Sequence, residues 1–440
     1  YRRRLTLMYS YANKYSNALE ESEELLKRCQ ERVENVPNIG RSFTNYIQVV
    51  SDRNDAFNGL GYDYGDLWRY REAAANGFKS VKEQYKILKE AKEYIWFDTA
   101  EERQAYDYLL DVCEWGNYEY DIEKMEHSAV VLKRSTYYRE REEGKTDGML
   151  RRYLKFRGNI PWYYLRLPAE DRKEYTDFEP VLFGEQTYHL RKAFYGLDRF
   201  TFTSWHNVSV YLKGERRYKE ALDVSSEVYT AAIDELKENK WGEKNLEQSK
   251  EKLGRLKALE LIEAARVDEI FEKYKDFLFY DPLILEILQY HSNYNLCLAL
   301  ETDDKQKRQE YINQAREEGE AAVVLRYICR NERDAALLTS WSFLASYYDA
   351  PYQIIFDEIK SHKKNEEIDI KEYIKKDIGK EIVEGNEKAL EIVRYVIGQL
   401  EEIQSARGSG MNKMKLQEHQ RMLQEMNDGT WSEHHRFREQ

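Results

Sequence analysis

The side chains with the most chemical reach lie between residues 151 and 166. Arg151-Arg152-Tyr153-Leu154-Lys155-Phe156-Arg157 is followed by Trp162-Tyr163-Tyr164-Leu165-Arg166, the densest basic-aromatic cluster of the chain. Guanidinium groups hold phosphate or carboxylate through paired hydrogen bonds, and flat rings stack on bases. Trp, Tyr and Arg are also the residues that dominate protein–protein interfaces. A plainer role is open to them as well: rings that pin an irregular segment onto helices, with Arg bridging acidic neighbours. Prolines at 161 and 168 bracket the aromatic run and stiffen it, which lowers the ordering cost of binding. Arg157, Trp162, Tyr163 and Arg166 are therefore the candidate partner-binding residues.

Other constellations are thinner. Glu123 and His127 are four apart on an expected helix and share a face, as a metal pair would. Glu286 and His291, five apart, diverge around theirs. Glu433-His434-His435 offers adjacent imidazoles without further ligands at fixed geometry. Asp303-Asp304 resembles an aspartate-rich diphosphate motif, but a helix start explains it. Cys29, Cys113, Cys297 and Cys329 are widely spaced and form no C-x-x-C, so they read as small buried hydrophobes in a reducing compartment. No P-loop, dinucleotide fingerprint, G-x-S-x-G or H-E-x-x-H occurs. No catalytic, metal-binding or cofactor-binding residue is assigned, and no cofactor is expected.

The elements that must position these residues are helices. Six prolines and 21 glycines in 440 residues leave long uninterrupted stretches, and 34% charged residues supply solvated outer faces. Apolar residues recur at a period near 3.6. Helices are expected over 1–35, 42–58 and 66–94, and from Asp98-Thr99 as far as Glu143, forming an N-terminal block over 1–145. Residues 146–184 hold three of the six prolines, Pro161, Pro168 and Pro180, and read as an irregular linker or binding loop. Helices resume over 185–406, with breaks at Asp281-Pro282, Asp303-Asp304 and Ala350-Pro351. A stripe of Ile370, Ile374, Ile378 and Ile382, continued by Leu390, Val393, Ile397 and Leu400, implies one helix over 368–406. Arg407-Gly408-Ser409-Gly410 is a flexible link. The arm after it, within 407–440, carries an apolar ribbon of Met414, Leu416, Met422, Leu423 and Met426.

The clearest building unit is Trp205–Leu236, a helix, a tight turn at Lys213-Gly214 and a second helix. Val208, Tyr211 and Leu212 share a face of the first; Ala221, Leu222, Val228 and Ile233 line the second. Trp205 and Tyr218-Lys219-Glu220-Ala221-Leu222 resemble the signature of a tetratricopeptide (TPR) hairpin, with an early Trp and Tyr-x-x-Ala-Leu opening helix two. Ser209, Ser225 and Val228 depart from the family pattern. Half-hairpin fragments recur at Tyr15–Leu19 and Tyr70–Ala74 without a fixed period of 34. The resemblance implies stacked antiparallel helical hairpins, an α-solenoid or TPR-like fold, with a small residue one turn from an aromatic so that helices approach closely.

These features bound the function. A net charge of −12 disfavours general nucleic-acid binding. No apolar run reaches transmembrane length. The chain opens at Tyr1 rather than Met, and Arg2-Arg3-Arg4 before Leu5 lacks a signal-peptide core, which fits a removed presequence, a neighbouring domain or residues beyond those given. The reading is a non-catalytic protein–protein interaction scaffold, either an adaptor or a structural subunit of a multi-subunit complex, in a soluble reducing compartment. The alternatives are an acidic immunity-type inhibitor of a basic toxin enzyme and a helical enzyme with a buried metal or anion site.

Overall fold

The computed structural model describes residues 5–6, 8–9, 15–35, 43–67, 69–145, 147–239, 246–274, 282–329, 335–362, 370–407 and 410–428. Among these residues every regular element is a helix, as the periodicity predicts. The Arg2-Arg3-Arg4 run, Gly408-Ser409 and Glu433-His434-His435 lie outside them. The chain divides into two compact units, Tyr1–Tyr211 with Ser409–Met411, and Leu212–Gly408 with Asn412–Gln440.

Unit 1 contains α1 (Tyr15–Glu34), α2 (Phe43–Asp66), α3 (Tyr70–Ala91), α4 (Ala100–Cys113), α5 (Ile122–Arg134), α6 (Thr136–Arg141), α7 (Met149–Arg157), α8 (Ile160–Tyr164), α9 (Ala169–Arg172) and α10 (Pro180–Tyr195). The helix α11 (Arg199–Gly214) carries the unit boundary. Here α2 and α3 form an antiparallel hairpin, since Asn54 meets Gln84 at 3.2 Å and Gly61 faces Ala73. The break expected at residues 58–66 is absent: α2 runs on through Gly59, Gly61 and Gly65. Two of these glycines are seats for rings from α8, described below, rather than points of weakness.

The single helix expected from Asp98 to Glu143 is instead three. The start is as read: Thr99 Oγ1 accepts from the Glu102 amide (3.1 Å) and Glu102 Oε2 accepts from the Asp98 amide (2.8 Å). The first break follows Cys113. Gly116 takes φ +83°, the Asn117 backbone amide donates to Glu114 O (3.2 Å), and the Asn117 side-chain Nδ2 donates to Asp111 O (2.9 Å). Asp121 and Ser135 then cap α5 and α6. Residues 146–184, expected to be irregular, hold three short helices. Pro161 lies in the first turn of α8, Pro168 precedes α9, and Pro180 opens α10. Each proline sits where a helix has no use for its missing N–H.

Unit 2 contains α12 (Tyr218–Asn239), α13 (Leu246–Ala258), α14 (Ala264–Tyr274), α15 (Pro282–Glu301), α16 (Lys305–Cys329), α17 (Ala335–His362), α18 (Ile370–Asp377), α19 (Lys380–Arg407) and α20 (Gly410–Asp428). Successive pairs α15–α16, α16–α17 and α17–α19 pack on one another around a core that includes Trp341, Leu344, Val393 and Val396. Asp304 Oδ1 caps α16, accepting from the Gln306 (3.0 Å) and Lys307 (3.2 Å) amides. The α17 helix runs through Pro351, where a stop was expected. Beside that proline, Gly385 of α19 comes so close that a Cβ would lie 2.9 Å from Tyr348 O. The helix expected over 368–406 breaks at Ile378-Gly379, whose amides both return to Ile374 O (3.1 and 3.0 Å). The C-terminal arm docks on its own unit: Met422 and Met426 are buried in the core, and His419 Nε2 meets Ser342 Oγ at 2.7 Å.

In the expected building unit the turn comes two residues late. Arg216 takes φ +61° and the Arg217 amide returns to Leu212 O (2.9 Å). Trp205 stacks on Tyr188 of α10 with ring centres 4.9 Å apart, and Ala221 is fully buried.

Candidate functional site

The basic-aromatic segment spans α7 and α8. Local bonds set its start: Glu142 is buried, and its Oε1 accepts from the Leu150 amide (3.2 Å) and from Tyr137 OH (2.7 Å). Burial raises the Glu142 carboxyl, while those donors pull it back. From there α7 points its cations two ways. Arg152 pairs with Asp52 (3.0 Å) and Lys155 with Asp55 (3.1 Å), both on α2. Arg157 turns inward.

Arg157 is only 2% exposed. Its Nε donates to Thr187 Oγ1 (2.9 Å), Nη2 to Gln186 Oε1 (2.6 Å) and Nη1 to Tyr153 OH (3.0 Å). The guanidinium also lies 4.0 Å from the centre of the Phe183 ring. This is a cation held by neutral acceptors and a π face, tying α7 to α10. Tyr163 is fully buried. Its ring fills a notch between Gly61 of α2 and Gly77 of α3, where added Cβ atoms would lie 3.1 and 2.3 Å away. Its hydroxyl donates to Asn58 O (3.2 Å).

The other two candidates are at the surface. Trp162 is half-buried and lies over Gly65, where a Cβ would meet its ring at 1.9 Å. Arg166 is exposed, stacks 4.5 Å over the Trp162 ring and donates to Trp162 O (3.0 Å). Tyr62, 40% exposed, adds a third ring 5.8 Å from Trp162 and donates to Asn159 Oδ1 (2.6 Å). So the structure brings Trp162 and Arg166 together with Tyr62 and places Arg157 and Tyr163 inside, Tyr163 edge-on to Trp162 (5.4 Å) beneath the surface pair and Arg157 tying α7 to α10. Sequence reasoning missed Tyr62. Its signal was the glycine spacing in Gly59-Leu60-Gly61-Tyr62-Asp63-Tyr64-Gly65.

Beside the segment a cleft of about 240 Å³ is lined by Arg151, Arg152, Lys155 and Arg191, with Asp55, Asp147 and Asp198 opposing them. Arg191 is 4% exposed and donates to two backbone carbonyls, Leu154 O (2.7 Å) and Phe200 O. Burial lowers its pKa to about 10, which leaves it cationic at neutral pH.

Unit 2 holds a second arrangement absent from the sequence reading. Ser226 Oγ lies 2.8 Å from His291 Nε2, and His291 Nδ1 lies 2.7 Å from Glu318 Oε2. The order serine–imidazole–carboxylate matches that of an acyl-transfer triad. Its surroundings do not match. Ser226 Oγ is also 2.8 Å from Leu222 O of its own helix. That carbonyl competes with the imidazole for the single hydroxyl proton. Ser226 lies mid-helix, where neighbouring amides are used in the helix ladder and are not free to hold an oxyanion. Glu318 further accepts from Gln314 (2.5 Å) and Asn295 (3.1 Å), so the network ties α12, α15 and α16 together. His291 is thus joined to Glu318 and not to Glu286. His127 faces Glu101 at 3.3 Å on the surface. Among the described residues no group of three His, Cys, Asp or Glu is placed to hold a metal ion. The four cysteines are free thiols, and burial pushes that of Cys113 up to about 12.

No family model matches the chain, and no curated protein is significantly similar to it.

Proposed function

We propose that the chain is a non-catalytic interaction protein, an adaptor or a structural subunit of a larger assembly, and that it meets a protein partner through Trp162, Arg166 and Tyr62. One observation carries this reading: a Trp–Arg stack stands at the surface on a seat fixed by buried Tyr163 and by Gly65. A preorganised Trp and Arg lose little freedom on docking, and these residue types supply most hot spots. The successive packing of α15, α16, α17 and α19 supports reading the second unit as TPR-like or α-solenoid. No helix among the described residues is long and apolar enough to cross a membrane.

The test is capture of partners from the native source with the tagged full chain, read by mass spectrometry. Trp162→Ala should lose about 2 kcal/mol of affinity, roughly thirtyfold. Arg166→Glu reverses an exposed charge without touching the core and should deplete the same partners. If both variants melt like the parent and recover the same partners at the same yield, the surface is not the interface.

A further inference from the structure

A groove of about 600 Å³ opens in unit 2 between α16, α17 and the start of α19. That volume falls within the range of small-molecule sites. Its apolar walls are Ile312 from α16, Pro351, Ile355 and Ile359 from α17, and Ile378 and Ile382 flanking the α18–α19 break, with Gln309, Glu358 and Glu381 at the rim beside its cations. Ile378 is 45% exposed, while Ile355, Ile359 and Ile382 are packed from behind by a small separate core of Tyr352, Ile374 and Val383. The Ile374, Ile378, Ile382 stripe read from the sequence is therefore divided, with Ile374 spent on packing and the other two facing the groove.

The cations of the groove are not equivalent. Arg308 is bound to Glu358 (3.2 Å) and Thr302 O (2.8 Å). Arg316, three turns along α16 from Lys305, forms no ion pair with any described residue. Its Nε is buried without a hydrogen-bond partner, and its guanidinium lies 4.8 Å over the Tyr348 ring. Lys388 approaches the same ring at 5.1 Å. Two cations thus flank Tyr348 at one end of the trough, beside the Glu320 carboxylate that accepts from its hydroxyl, and the Arg316 guanidinium is only partly satisfied. The distance along α16 from Arg316 to Lys305 is about 16 Å at 1.5 Å per residue.

The geometry points to a binding site for an anionic amphiphile, a single alkyl chain with a carboxylate head. The head pairs with Arg316 and the chain lies along Ile312, Ile355 and Ile382. A carboxylate satisfies the guanidinium in its fork geometry, and the chain covers apolar surface that water now meets.

The full chain is titrated with an undecanoic acid carrying a terminal dansyl group, and the bound probe is displaced with dodecanoate or dodecanol. Saturable dansyl fluorescence is expected, with dodecanoate displacing at least tenfold better than dodecanol. Arg316→Gln should abolish that preference while retaining probe binding, and Lys305→Gln should leave it intact. Ile355→Glu should remove binding of both competitors at unchanged helicity. Absence of a saturable signal from the folded parent overturns the site, as expected of a groove built for a partner helix or a second copy. So does an Arg316→Gln protein that still prefers the acid.

Discussion

Asp349 offers the sharpest test of the packing in unit 2. It is fully buried on α17, and its Oδ1 accepts from Asn386 Nδ2 of α19 at 2.7 Å. Its Oδ2 has no hydrogen-bond partner. Burial pushes the carboxyl from the ordinary 3.8 up to about 7, against the opposing pull of Asn386 and Gln353. Because the folded pKa lies above the unfolded one, the native state holds the extra proton between these values. Stability is fully retained at low pH and falls as pH rises through roughly 4 to 7. At about 1.4 kcal/mol per pH unit of difference, the folded state loses about 4 kcal/mol at pH 8, where the carboxyl is ionised, and about 2 at pH 5, where it still holds its proton. Asp349→Asn never ionises, and it keeps an acceptor for Asn386. Urea unfolding of parent and variant at both pH values cancels every other titrating group. The variant should gain on the parent by about 3 kcal/mol more at pH 8 than at pH 5. A difference that does not change with pH would refute the buried, proton-holding carboxyl.

Two further predictions address the seat of the surface pair. Gly77→Ala and Gly59→Ala are the same change in neighbouring helices, and they should have opposite signs. At Gly77 the new methyl lies 2.3 Å from the Tyr163 ring, so overpacking of about 1–3 kcal/mol outweighs the gain of nearly 1 in helix propensity. At Gly59 nothing lies within 4 Å, and the melting temperature should rise. Arg157→Met removes a buried cation from three neutral acceptors and should cost about 3 kcal/mol, whereas exposed Arg166→Gln should stay within about 0.5. Equal effects in chemical denaturation would show the two arginines to be in like surroundings.

What the sequence revealed follows how local each cause is. The starts at Thr99 and Asp304 were legible because a cap is a bond across three residues. The interruptions after Cys113 and at Ile378 were hidden, since an apolar stripe continues through both and one glycine in each decides the matter. Gly59–Gly65 was misread as an end because the reason for those glycines, the rings of Trp162 and Tyr163, lies about a hundred residues away. Pro351 was misread for a related reason: the helix continues through it, and Gly385, 34 residues on, lets another backbone close over that turn. The site shows the same division. Arg157 and Arg166 are chemically identical in the chain, and only the third dimension separates a tie rod from a surface group. The Ser226–His291–Glu318 network spans three helices and left no sequence pattern.

The glycine notch also imposes an order of events on a growing chain. Residues 43–91 leave the ribosome well before residues 149–166, and α2 and α3 can pair as soon as they are made because their contacts are local. The bonds that close over them, Arg152 to Asp52, Lys155 to Asp55 and Asn159 to Asn58, join residues 100 or 101 apart. Until that loop closes, the hairpin carries an open apolar slot at Gly61 and Gly77, and Trp162 and Tyr163 have nowhere to go. α8 is therefore expected to dock after the α2–α3 hairpin has formed. The indole of Trp162, at the edge of the slot, changes its surroundings at that moment, and its fluorescence reports the step once the seven other tryptophans are replaced.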